Sequence, residues 1–150
     1  MVISATEMDA AEGNGAPLLV ARVVSADVAQ TNPGQDQDNV IYATFSLNVD
    51  LVGNCAAVTP GFLTNDHCLR VTINNLIGSQ TAGNRIAVNT LPPDAFAPEA
   101  VWNRNTGNIQ LIVVGNVLAG EMISMNLTLK NKRTENPSPL LSIKLDGPVH

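Results

Sequence analysis

Two histidines, His67 and His150, are the general-base candidates this chain offers. His67 stands in Thr64-Asn65-Asp66-His67-Cys68, beside a carboxylate that could orient its imidazole and a thiol that it could deprotonate. That unit is disabled once Cys68 is bridged, because a disulfide sulfur is no attacking thiolate, and a polar loop is the plainer reading. His150 ends the sequence, where side chains are rarely held in place. A glycosidase needs two carboxylates facing across a cleft. Asp94 and Glu99 are close in sequence but lack the aromatic neighbours that usually grip sugar rings. The chain therefore reads as non-enzymatic.

Other residues offer binding or covalent chemistry. Hard cations take carboxylates and carbonyls from flexible loops, and Gln35-Asp36-Gln37-Asp38-Asn39 presents an alternating pair, Asp36 and Asp38, among amides. Calcium is the cation this loop suits, although it lacks the glycine and closing glutamate of an EF-hand; a solvated turn is the alternative. No other cofactor is expected. Cys55 and Cys68 lie 13 positions apart, on either side of Thr59-Pro60-Gly61, where the chain should turn back on itself. A disulfide between them would contribute about 3 kcal/mol and imply an oxidising compartment. Two separate thiols are the alternative, and no further cysteine exists to complete a zinc site. Asn126-Leu127-Thr128 is an open glycosylation sequon, whereas proline blocks Asn136-Pro137-Ser138. If Leu127 points inward, Asn126 and Thr128 point outward, as a glycan requires.

The elements that position these residues have an apolar period of two almost everywhere. Ile41, Ala43, Phe45, Leu47 and Val49 alternate with polar residues through Asn39 to Asp50. The same pattern recurs at Leu69 to Asn74, Ile109 to Val113 and Ile123 to Lys130. Leu18 to Ala26, Arg85 to Thr90 and Leu140 to Asp146 add three more strands, the first apolar enough for a central or twice-covered position. No segment holds a helical stripe for three turns, and the best candidate is a single turn at Asp94 to Phe96. About seven strands separated by Asn, Gly and Pro turns predict an all-β, immunoglobulin-like antiparallel β-sandwich, with a jelly roll as the alternative. Gly78 is placed to supply a positive φ in a turn, Leu118-Ala119-Gly120 to lead into the Ile123 strand, and Trp102 to close the core.

Composition narrows the partners. Eight Lys plus Arg against 13 Asp plus Glu give a net charge of −5, and no cluster of cations stands out. This argues against nucleic acid and against an electrostatic membrane anchor. No run approaches the ~20 apolar residues of a membrane span, and 45% apolar residues suffice for one core. The sequence is read as a single domain, residues 1–150, in which the polar connection Asn32 to Asp38 is a loop rather than a linker. Met1 to Asp9 lacks the basic and apolar regions of a signal peptide, which fits a mature product or a piece of a longer chain. Val2-Ile3-Ser4-Ala5-Thr6 resembles Leu140-Leu141-Ser142-Ile143-Lys144, so residues 1–9 read as the end of a preceding repeat or as an exchanged strand.

The ordered set Val71-Thr72-Ile73-Asn74-Asn75-Leu76-Ile77-Gly78-Ser79-Gln80-Thr81, Val101-Trp102-Asn103, Thr106-Gly107-Asn108-Ile109-Gln110-Leu111, Leu118-Ala119-Gly120 and Leu127-Thr128-Leu129-Lys130-Asn131 resembles a repeated unit. It is similar to the tandem β-sandwich repeats of very large secreted or cell-surface proteins of microalgae and other protists, over roughly Val40 to Gly147. The resemblance implies extracellular placement and a structural or adhesive role, and it transfers no catalytic residue. Asn54 to His67 departs from it as an insertion. The expectation is a module that builds a surface layer, appendage or filament through copies of itself or neighbouring repeats, joined head to tail. Val2, Ile3, Leu141 and Ile143 are the assembly residues, because apolar terminal strands can complete a neighbour's sheet. A glycan- or protein-binding module using the loops around Trp102 and Asp36, or a viral coat or decoration protein, is the alternative.

Overall fold

Alternating side chains can bury only one face of a strand, so these segments must lie in sheets that cover one another. The computed structural model describes residues 21–53, 55, 68–135 and 139–146. Among them are nine strands, β1 (Val23–Gln30), β2 (Asp38–Leu47), β3 (Arg70–Asn74), β4 (Arg85–Ala87), β5 (Asn89–Leu91), β6 (Glu99–Asn103), β7 (Asn108–Ile112), β8 (Ile123–Lys130) and β9 (Ser142–Asp146). All pairings are antiparallel. One sheet runs β1-β2-β8-β5 and the other β4-β6-β7-β3-β9. The described residues contain no helix, and Asp94 to Phe96 forms a turn that ends in a bridge from Phe96 to Val113.

The layers are those of an immunoglobulin-like β-sandwich. Their connectivity is nested, with β2 against β8, β3 against β7 and β4 against β6, a winding shared with the jelly roll. Phe45, Val71, Ile109, Leu111, Val113 and Ile123 are completely buried between the sheets. Trp102 sits among them with its ring buried, and its indole Nε1 donates to the Thr81 carbonyl at 3.2 Å. The six fully buried residues lie on the inward side of the alternation read from the sequence, and Trp102 closes the core as its residue type suggests.

Two strands escaped the sequence reading, and one was misplaced. Arg85 to Thr90 is two elements and not one: β4 pairs with β6, the chain crosses at buried Val88, and β5 pairs with β8 in the opposite sheet. The crossing stitches that side of the sandwich shut with a covalent strand. β6 carries the period-two pattern of Ala100 and Trp102, but it is short and close to three prolines. β1 is not central. Among the described residues it is an edge strand with seven of eight residues exposed.

Turn chemistry fixes the rest. Gly78 and Gly120 take positive φ, and the second leads into β8 through a bond from its amide to the Leu47 carbonyl at 2.7 Å. In the β6–β7 hairpin, Asn103 Oδ1 accepts from the amides of Asn105 and Thr106. Gly107 there has φ 66, and a Cβ on it would stand 2.5 Å from the backbone at Leu76 and Ile77. Only glycine allows that hairpin to tuck beneath the end of β3.

Candidate functional site

Among the described residues, the flank opposite the stitched side is open. β1 and β9 are edge strands, one from each sheet, and they approach each other along that flank. On β1, Ala26, Val28 and Gln30 pair with Phe45, Ala43 and Ile41, so their side chains point inward, yet all three are exposed. On β9, Ile143 and Leu145 lie beside Ile73 and Val71, and they stay half-buried where those partners are fully buried. Inward-facing side chains left partly wet on two adjacent edges define a seam.

The seam widens at one end into a cleft of about 720 Å³, walled by Val28, Ile41, Leu76, Leu129 and Leu141. Ile77 and Leu140 stand exposed at its rim. Its far wall is built of amides. Asn39 is buried and donates through Nδ2 to Gln30 Oε1 at 2.8 Å and to Asn131 Oδ1 at 3.2 Å. Asn131 in turn donates to the carbonyls of Asn32 and Gly34 at 2.8 and 2.7 Å, which ties the β1–β2 loop to the end of β8. Lys132 and Glu135 are the charged members of the described lining. The cleft thus offers alkyl surface, amide dipoles and unpaired strand edges, the groups that hold an extended peptide.

Asp36 lies beside this wall, but with cations rather than with a second carboxylate. Gln80 Nε2 donates to Asp36 Oδ1, and Lys130 Nζ and Arg133 Nε each lie 3.6 Å from its carboxylate oxygens. The Gln80 hydrogen bond, helped by these two cations, holds the Asp36 carboxyl below the usual aspartate range. Asp38 opens β2 opposite Lys130 and is exposed. Among the described residues no group of three or more His, Cys, Asp or Glu could hold a metal ion. Of the pair read as a calcium site, Asp36 is thus held in an ion-paired clamp, and Asp38 is exposed at the start of β2. The expectation of dispersed cations is also revised, since Lys130, Lys132 and Arg133 gather at the end of β8.

The clamp has a pH dependence. A lowered carboxyl pKa means that the unfolded chain protonates first, so the contribution is present above about pH 4 and is lost as pH falls through the lowered value. Asp36→Asn should therefore lower the melting midpoint at neutral pH and match wild type in acid, as read by circular dichroism melts across pH. Equal midpoints at every pH would show the clamp to be inert.

The other candidate residues lie in different parts of the chain. Cys55 and Cys68 form a disulfide with their Cα atoms 5.6 Å apart. Asn126 lies on the outer face of β8, half-buried between Tyr42 and Asn89 in register, and accepts from Asn89 Nδ2 at 3.1 Å. It stands in mid-sheet instead of a loop. Glu99 faces Arg85 at 3.4 Å, and Asp94 is exposed in a turn with φ 62. Leu141 and Ile143 pack against the core at the seam. Val2, Ile3, His67 and His150 lie outside the described residues, as does Asn54 to His67 apart from Cys55. Among the described residues no helix is long and apolar enough to cross a membrane.

Fold and site together define a two-sheet antiparallel β-sandwich with an open seam. Comparison of the chain with protein-family models, with curated proteins and with solved structures finds no match.

Proposed function

We propose that this chain is a non-enzymatic structural module of the cell exterior, whose copies or neighbouring repeats join head to tail through the open seam into a layer, appendage or filament. The observation that carries this reading is the exposure of Ala26 and Val28 on the inward face of β1, alongside the half-wet Ile143 and Leu145 of β9. An uncovered sheet edge presents unpaired backbone groups, a template for another chain. A contact that joins unlike surfaces and does not close on itself propagates into a fibre. The Cys55–Cys68 bridge supports an oxidising location, outside the cell or on its surface.

A second reading is favoured by the amide wall of Gln30, Asn39 and Asn131: the cleft takes an extended peptide from a different protein. Val28→Lys separates the readings from a structureless edge, since a lysine on an edge strand opposes strand addition. It should weaken self-association about tenfold, from the loss of one buried valine, while circular dichroism stays unchanged. Sedimentation velocity across concentration is the measurement. A wild-type chain that stays monomeric at millimolar concentration rejects assembly.

A further inference from the structure

We infer that the seam is filled by Val2–Thr6 of a second copy, added as a strand on the free edge of β9 and running antiparallel to it. This rests on the assembly reading and specifies its contact. Among the described residues β9 pairs with β3 alone, so its outer backbone edge has no strand beside it. A segment joining it must present small or apolar side chains inward and polar ones outward. Val2-Ile3-Ser4-Ala5-Thr6 puts Ile3 and Ala5 on one face, and polar Ser4 and Thr6 with Val2 at the strand's start on the other. Placing Ile3 opposite Ile143 puts Ala5 opposite Leu141, a residue of the cleft wall, and Ser4 opposite exposed Ser142.

Charge sets the direction. Glu7, Asp9 and Glu12 follow this segment, and no Lys or Arg precedes Arg22. The cations Lys130, Lys132 and Arg133 lie at the end of β8, and Lys132 lines the cleft beside Leu140 and Leu141, where β9 begins. An incoming strand antiparallel to β9 leaves the slot at that end and delivers its acidic run to those cations. The opposite direction carries the acidic run away from them.

Length sets the source. With Glu7 to Glu12 held at the cleft, a chain filling its own seam must return to Ala21, at the far end of β1, through Gly13 to Val20. The nine steps from Glu12 to Ala21 reach about 30–32 Å when fully extended, against about 30 Å for the nine steps from Gln30, at the cleft, back to Ala21. That leaves no slack for the turn at each end, and a second copy needs none.

The test mixes two single-cysteine additions to the full chain, Ile3→Cys on one preparation and Ile143→Cys on the other, under mild oxidation. Directly opposed antiparallel residues are close enough to bridge, so a crosslinked dimer should appear in the mixture on a non-reducing gel. Replacing the second partner by Lys144→Cys, one residue out of register, should abolish it. Ile3→Asp should weaken association about 100-fold, and Lys132→Glu should weaken it with a reduced salt dependence. If association persists in all variants without the crosslink, this placement is wrong while assembly stands through another contact. If the Ile3→Cys/Ile143→Cys double variant closes within one chain and the mixture does not crosslink, the segment fills its own seam, and both inference and assembly reading fall. A chain monomeric throughout also ends both.

Discussion

Trp102→Ala should lower the unfolding free energy by about 3–5 kcal/mol, the cost of removing a large aromatic from a core that cannot close over the void. The ring is 2% exposed and lies opposite Ile109, which is fully buried. Its polar atom is satisfied as well, by the Thr81 carbonyl, so the substitution also leaves an acceptor without its donor. Few side chains could flow into the space, because β6 is flanked by β4 and β7 and covered by the other sheet. For a domain of this size the melting midpoint should fall by roughly 6–20 °C. Far-UV circular dichroism in urea is the measurement, since the only tryptophan has been removed from the fluorescence signal. Trp102→Phe keeps most of the buried area and should fall between the two, which preserves the test if the alanine variant does not fold. A loss below about 1 kcal/mol for alanine would place the ring at the margin of the core instead of within it.

How much of this was legible in the sequence depended on whether the deciding contact was local. Ile123 to Lys130 reads as a strand from its alternation alone, and β8 has those bounds. The turn at Thr106-Gly107-Asn108 and the positive φ of Gly78 are equally local, because a backbone that only glycine tolerates announces itself by residue type. Sheet membership is different. Nothing in Arg85 to Thr90 says that its two halves belong to opposite sheets, since the pattern on either side of Val88 is the same. The apolar character of the first strand suggested coverage from both sides, and apolar residues at an edge look identical until the neighbouring strand is known to be missing.

The site follows the same rule. Asp36 and Asp38 looked like cation ligands because their own neighbours are amides. The groups that hold Asp36 arrive from Gln80, Lys130 and Arg133, distant in sequence and brought together by β8 pairing with β2. The seam is an absence of pairing, which no local pattern records. Leu141 and Ile143 could nevertheless be singled out, as apolar residues at and just before the last strand.

The second large effect belongs to the bridge. Cys55→Ala with Cys68→Ala should lower stability by about 3 kcal/mol, because opening a loop of 13-residue separation restores that much freedom to the unfolded chain. The loss has a local address. Cys68, Ala97 and Ile112 form a small buried cluster separate from the main core, with Cys55, Val101 and Val114 against it. Ile112 alternates with Leu111 of the main core and pairs with Arg70 on β3, so this cluster lies on the outer face of the five-stranded sheet. The bridge joins Cys55 to that cluster through Cys68. The sandwich core does not include either cysteine, so the alanine pair should keep its β spectrum and unfold at lower urea. Cys68 lies two residues before the start of β3, whereas the cleft lies beyond its other end, at Leu76. Self-association of the alanine pair at low temperature, measured by sedimentation, should consequently match wild type. If association vanished while the fold persisted, the interface would lie on the bridged face, and the open flank between β1 and β9 would not be where copies meet.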